Sequence, residues 1–212
     1  MTLEARKISK TFKKPQRVEV LKDISLVVQP KSSVAIMGAS GEGKSTLLHI
    51  LGTLEKPTTG SVSIEGETRP SPELRNQKVG FIFQAFNLLE DFTVLQNVLM
   101  PAIIGGRDAM ARALYLLERV GLLKRAHFPV RLLSGGEKQR VAIARALVND
   151  PNFILADEPS GNLDHTTSEI IHKLLLACVR EEGKSLIVVT HDIELARLCD
   201  VTYYLINGEL QS

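Results

Sequence analysis

The chain is poor in the features that mark several large classes of protein. It has no tryptophan and two cysteines, Cys178 and Cys199. Two isolated cysteines without metal-ligand spacing form neither a disulfide framework nor a zinc site, which points to a reducing compartment. No apolar run approaches the roughly 20 residues needed to cross a bilayer. Stretches such as Leu174 to Val179 are stopped by charges, so membrane association is expected to run through a partner. The opening residues Met1 to Lys7 lack the apolar centre of a signal peptide, and none is expected. Excess charge is missing too, with 26 basic against 24 acidic residues and a formal net charge of +2. That balance gives no support for a nucleic-acid footprint. Lys13, Lys14 and Arg17 form the only early basic cluster and read as a solvated loop. A chain of 212 residues can bury one good-sized core with a helical insertion, but not several independent domains.

What is present is a succession of strand and helix signals. Leu3 to Val28 is rich in β-branched residues with approximate alternation, and Ser61 to Gly66 alternates cleanly, which suggests an antiparallel subsheet. Buried-strand runs end at Met37, Gln84, Ala156 and Thr190, with helical stretches between them. This order predicts a mainly parallel core sheet whose ligands lie beyond the carboxyl ends of the strands. Between about Ala85 and Pro129 the pattern turns helical, with a cap at Thr93 to Gln96, an interruption at Pro101 and Gly105-Gly106, and a second helix over Asp108 to Val120. Further helices are expected over Lys138 to Val148 and Glu169 to Glu182. The tail reads as a hairpin around Asn207-Gly208 and leaves no room for a C-terminal regulatory domain.

The most informative stretch is Gly38-Ala39-Ser40-Gly41-Glu42-Gly43-Lys44-Ser45-Thr46. It fits G-x-x-x-x-G-K-S/T and lies between a strand-like and a helix-like run. A glycine-rich turn there points successive N–H groups at a phosphate chain, and the helix N-terminus adds partial positive charge. Lys44 would reach the β- and γ-phosphates, and Ser45 would place its hydroxyl on Mg²⁺.

A second site candidate is Asp157-Glu158, an acidic pair at the end of a buried strand. Ionised carboxylates there need a partner, and bound Mg²⁺ and polarised water supply one. Asp157 would hold the Mg²⁺ shell, and Glu158 would accept a proton from the attacking water. Gln84 and His191 also end strands, so the amide could touch Mg²⁺ or water and the imidazole a phosphoryl oxygen. His49 reads as a partly buried helix residue, and His127, His165 and His172 lack ligand spacing. Ser134-Gly135-Gly136-Glu137 combines a capping box with two glycines, a further place that welcomes phosphate.

Together, Gly38 to Thr46, Gln84, Leu133 to Glu137, Phe153 to Glu158, Ser160 to Asp164 and His191 resemble the nucleotide-binding subunits of ATP-binding-cassette (ABC) transporters, across essentially the whole chain. The resemblance implies an α/β fold, a P-loop NTPase core with a mainly parallel sheet, an antiparallel β subdomain and a helical insertion over about 85–129. It implies ATP and Mg²⁺ as cofactors, with Gly38 to Thr46 as the ATP loop, Phe12 stacking on adenine, and Ser45, Gln84 and Asp157 on the metal. Glu158, His191 and Gln84 would serve catalysis. Two copies would close head to tail on two ATP, so that Ser134, Gly135, Gly136 and Glu137 of one copy meet the γ-phosphate held by the other. Asp164 would couple the two sites.

Gln84 would open the segment that senses two membrane-spanning subunits, which dock on Phe86 to Leu89 and the helical insertion. Glu42 stands where many members of the family carry serine; its side chain can point outward, so affinity is expected to be tuned rather than lost. More narrowly, Ser45 to Gly52, Leu74 to Gln84, Asp91 to Pro101 and Asp157 to Asp164 look like the lipoprotein-release (LolD) branch of the family. That branch implies LolC/LolE-like partners and a peripheral place on the cytoplasmic face of a bacterial inner membrane. The short stretch between Ile64 and Leu74 and the clipped C-terminus keep macrolide or peptide exporter ATPases and the division ATPase FtsE as alternatives. A soluble regulatory or nucleic-acid-linked cassette is the alternative of another class. It would call for paired cassettes, coiled coils or basic additions, and the sequence shows none.

Overall fold

The computed structural model describes residues 2–13, 17–68 and 70–211, so Lys14 of the early basic cluster lies outside the described residues. The chain begins with β1 (Leu3–Phe12), β2 (Val18–Val28), β3 (Ser33–Met37), α1 (Lys44–Leu51), β4 (Thr59–Ile64), α2 (Pro72–Lys78) and β5 (Val79–Ile82). Then follow α3 (Val94–Ile104), α4 (Met110–Arg119), α5 (Gly135–Leu147), β6 (Phe153–Asp157) and α6 (His165–Glu181). The last elements are β7 (Ser185–Thr190), α7 (Ile193–Arg197), β8 (Val201–Ile206) and β9 (Glu209–Gln211). They fall into two compact units, Met1–Arg75 with Ser185–Ser212, and Asn76–Lys184.

In the first unit β1 pairs antiparallel with both β2 and β4, as the subsheet expectation required. Its alternation is imperfect for a local reason. The β1–β2 register shifts between Ala5 and Ile8, where Lys7 has a φ of 50°. A bulge of this kind resets which face each side chain takes, so that Leu3, Ala5 and Ile8 are all buried. β3 lies between β7 and β8, parallel to both. β3 and β7 are buried at every position, which is why they read as unbroken apolar runs rather than alternating ones. The register sets Met37 opposite Thr190. The loop from Gly38 and the turn at His191 therefore leave neighbouring strands at the same level. β8 and β9 make the expected hairpin, with Asn207 and Gly208 at φ 51° and 82°.

The second unit has the same logic. β5 and β6 are parallel, with Ile82 opposite Ala156, so the segments carrying Gln84 and Asp157-Glu158 also emerge together. α5 packs so close to β5 that a Cβ on Gly80 would stand 2.1 Å from the Ala146 carbonyl oxygen, and only glycine fits.

Several sequence boundaries move. β5 stops at Ile82, and Gln84 lies in a turn rather than on the strand, because the chain turns sharply at Phe86 and Asn87. Pro101 does not interrupt α3, which runs through it to Ile104. A proline inside a helix costs about 3 kcal/mol. The reciprocal cap between Thr93 and Gln96 offsets this, as does burial of Val94, Leu95, Val98 and Ala102. α6 starts four residues earlier than its apolar spacing predicts, because Asp164 caps it, accepting from the Thr167 N–H at 3.0 Å. The short helices α2 and α7 were not anticipated. α2 begins with Ser71 accepting from the Leu74 N–H and with Pro72 at its first position, and α7 begins with an Asp192 cap. Among the described residues no helix is long and apolar enough to cross a membrane.

Candidate functional site

In the first unit the loop after β3 is shaped by close approach. A Cβ on Gly38 would lie 2.6 Å from the Leu205 carbonyl oxygen, and one on Gly43 would lie 2.4 Å from Val20 Cγ1, with Gly43 already at φ 96°. Any side chain at these positions would push the loop off the sheet. Gly43 is also the N-cap of α1 and supplies no side-chain acceptor. The N-termini of α3, α5, α6 and α7 are each capped by a Thr, Ser or Asp side chain. A helix start of the α1 kind, entered through glycines and without an acidic residue in its first turn, suits an anion.

Lys44 is buried, and its ammonium folds back over the loop to donate to the carbonyls of Gly38 at 2.8 Å and Ala39 at 2.9 Å. Ser45 is exposed, and Thr46 half-buried. Glu42 turns away from the loop: its carboxylate accepts from the Asn207 N–H at 2.7 Å in the β8–β9 turn. The serine common at this position would be too short to make that brace. The negative charge of Glu42 is thereby tied to the hairpin.

His191 is exposed immediately beyond β7. The turn that follows it is fixed, since the Asp192 N–H donates to the Thr190 hydroxyl and the Asp192 carboxylate caps α7. Phe12, at the end of β1, is 40% exposed and therefore not a core aromatic. The Lys10 ammonium sits 4.9 Å from its ring centre and is held there by Glu55 and the Lys56 carbonyl.

In the second unit Asp157 closes β6, half-buried, and Glu158 follows in the left-handed region at φ 42°. Such a conformation costs a residue with a side chain about 1 kcal/mol or more and is retained where the surroundings fix it. Here the Gly161 N–H donates to the Glu158 carbonyl at 3.0 Å. A Cβ on Gly161 would meet Gln84 Nε2 at 3.1 Å and Glu158 Cβ at 3.4 Å, so the Gln84 amide and the Glu158 side chain border one small space. Asn162 ties the two segments further by donating to the Gln84 carbonyl at 2.9 Å.

Beneath this turn lies a contact that spacing alone did not reveal. His172 Nε2 is 2.6 Å from the hydroxyl of Ser160, and both residues are buried. His172→Ala should destabilise the protein by about 1–3 kcal/mol, because it leaves a buried hydroxyl without that partner. Urea denaturation measures this, and a midpoint equal to that of the parent would show the contact to be dispensable.

Ser134 caps α5 in the expected reciprocal box with Glu137. Partial burial works to raise the Glu137 pKa, but hydrogen bonds from the Ser134 N–H and hydroxyl, with Arg125 and Arg140 nearby, hold it below the ordinary range. Ser134, Gly135, Gly136, Asn162, Asp164 and Thr167 line one cleft of about 340 Å³. A Cβ on Gly136 would lie 2.6 Å from Thr167 Cγ2, so an added side chain would have to displace Thr167. Asp164 accepts from the Thr167 hydroxyl at 2.6 Å as well as from its N–H, and both bonds lower its pKa. The structure thus gathers the loop with His191 in one unit. In the other it gathers Gln84 with Glu158, and the Ser134 turn with Asp164. Sequence reasoning had Asn162 in the Ser160 to Asp164 motif and Phe86-Asn87 in the docking segment, but missed the bond from Asn162 to Gln84, the left-handed pair and the His172–Ser160 contact, none of which carries a spacing signal.

The ABC transporter family profile matches residues 21–161. The lipoprotein-releasing system ATP-binding protein LolD of Protochlamydia amoebophila is 52% identical over 98% of this chain and 95% of its own length. The protein of the same name from Shewanella oneidensis is 47% identical over 99% and 95%. Among solved structures, the dimeric bacterial ABC transporter cassette MJ0796 superposes with a TM-score of 0.89 at 41% identity, over 99% of this chain and 97% of that one. The same cassette in a post-hydrolysis state bound to ADP and Pi matches equally well.

Proposed function

The chain belongs to the ABC transporter family as a nucleotide-binding, ATP-hydrolysing subunit, and we propose that it powers the release of lipoproteins from a bacterial inner membrane. The observation that carries the cargo assignment is the near full-length match to lipoprotein-releasing ATPases. The chain would sit peripherally on the cytoplasmic face, docked through Phe86 to Leu89 and the helical insertion 85–129 onto two membrane subunits of LolC/LolE type.

Its residues divide the work. The N–H groups of Gly38 to Thr46 and the start of α1 grip the phosphates, Phe12 takes the adenine ring, and Lys44 exchanges its loop carbonyls for β- and γ-phosphate oxygens. The family resemblance would give Mg²⁺ to Ser45, Asp157 and Gln84, each of which carries a hard oxygen of the kind that ion selects. When bound, Mg²⁺ would supply positive charge to offset that developing on the phosphate oxygens. Glu158 accepts a proton from the attacking water as the water oxygen bonds to the γ-phosphorus and the bond to the bridging oxygen of ADP breaks. His191 donates to a γ-phosphoryl oxygen. Ser134 and Gly136 of one copy complete the site of the other, and Asp164 links the two sites. ATP thereby favours the closed pair by contacts that only this pair makes.

The test is to purify tagged Glu158→Gln chain with ATP and Mg²⁺ from detergent-solubilised native membranes and to identify its partners by mass spectrometry. Membrane proteins with few spans and a large periplasmic domain, together with lipoproteins, are expected. A multi-span permease or a division protein of FtsX type would overturn lipoprotein release while leaving the ATPase intact.

A further inference from the structure

Two features of the second unit are each unfavourable alone and meet at one point. Phe86 and Asn87 are consecutive residues in the left-handed region, at φ 59° and 50°. L-residues with side chains rarely adopt that conformation singly, still less in pairs. Opposite them, in the last turn of α5, is Arg145. Burial alone pushes its pKa down to about 10, and among the described residues no carboxylate pairs with it. Its guanidinium is spent on the strained turn, with Nη2 donating to the Phe86 carbonyl at 2.7 Å and Nη1 to the Asn87 carbonyl at 2.5 Å. This planar fork matches two neighbouring carbonyls in a way that a lysine cannot.

Gln84 stands two residues upstream of that turn. Its own carbonyl is held from the other side by Asn162, from the segment after Glu158. The turn also reaches the opposite end of α5, since Phe86 Cζ lies 4.0 Å from where a Gly135 Cβ would be. The segment is therefore held at Gln84 by the turn after Glu158 and at Phe86-Asn87 by Arg145, with the Phe86 ring near Gly135 at the other end of α5.

We propose that Arg145 is a positioning residue for hydrolysis. By clamping the Phe86 and Asn87 carbonyls it holds the left-handed turn, and the turn fixes where the Gln84 amide stands. Arg145 also makes that placement depend on α5, whose first turn is the Ser134-Gly135-Gly136 segment. The inference rests on the role given to Gln84 above.

The test compares the purified full-length chain with Arg145→Met, which keeps the stem and loses both bonds, and with Arg145→Lys, which keeps the charge and loses the fork. Arg145→Met should lower kcat at least tenfold, leave the KM for ATP within about twofold, and speed amide exchange across residues 84–88. Arg145→Lys should fall between this variant and the parent, and it keeps the comparison open if the methionine variant folds poorly. In a Gln84→Ala background, Arg145→Met should cost almost nothing further, because the group it positions is gone. Parent-like kcat in both Arg145 variants, or a full tenfold loss added to that of Gln84→Ala, would overturn the proposal. If Gln84→Ala alone leaves kcat unchanged, the role of Gln84 falls and takes the catalytic half of the proposal with it. Amide exchange then still decides whether Arg145 sets the turn.

Discussion

Glu158→Gln is expected to slow ATP turnover by a factor of about 10²–10⁴, the usual range for losing a general base, with ATP affinity almost unchanged. The substitution is nearly isosteric, so the left-handed backbone at Glu158 and the hydrogen bond from the Gly161 N–H to its carbonyl persist. The neighbouring Gln84 amide keeps its place beside Gly161. What goes is a carboxylate able to take a proton, since an amide oxygen at neutral pH cannot. The effect should therefore appear in kcat alone, as for a group that acts only in the transition state. Phosphate release at saturating ATP, paired with equilibrium binding of a fluorescent ATP analogue, separates the two quantities. Parent-like phosphate release would remove Glu158 as the base.

Lys44→Ala is expected to do the reverse and weaken ATP binding first, by a factor of roughly 10–100, from the loss of charge-assisted hydrogen bonds worth about 1.5–3 kcal/mol each. In the structure its ammonium already lies over the loop on the Gly38 and Ala39 carbonyls, where an incoming oligophosphate would meet it. Alanine also removes the cross-brace between the loop and the first turn of α1, so the N–H groups lose part of their alignment. Isothermal titration with ATP reads the affinity directly. An unchanged dissociation constant would take Lys44 out of the phosphate site.

The parts of this fold legible in the sequence are those fixed by local chemistry. The loop at Gly38 to Thr46, the caps at Thr93 and Ser134 and the hairpin at Asn207-Gly208 each follow from a few adjacent residues, and each is found as read. The continuous apolar runs of β3 and β7 identified strands covered on both faces. Parallel pairing then followed from the helices between strands, and with it the common level of the Gly38 loop and His191.

Where sequence reasoning went astray, distant contacts outweighed local preference. Pro101 looks like a stop, yet packing and a strong cap carry α3 through it. Gln84 looks like the last residue of a strand, but Arg145, more than fifty positions downstream, stabilises the turn that pulls the chain off the sheet. Apolar periodicity begins late in α6, whereas its true start is set by the Asp164 side chain. His172 carried no ligand spacing, and its partner is a serine twelve residues earlier that only the turn after Glu158 brings within reach. Glu42 departs from the family's usual serine, and its reason is equally remote, an N–H in the closing hairpin. The cleft shared by Ser134, Gly136 and Asp164 likewise could not be read from spacing, and the family resemblance gave these residues separate roles without placing them together.

The central claim is that two copies close on ATP, each completing the other's site. Light scattering of the Glu158→Gln chain tests it most directly, with ATP and Mg²⁺, with ADP and Mg²⁺, and without nucleotide. A doubling of mass with ATP alone, abolished by adding Gly136→Ala, whose Cβ would press on Thr167 in the Ser134 cleft, is the predicted result. A mass that stays that of a single chain at saturating ATP would contradict it.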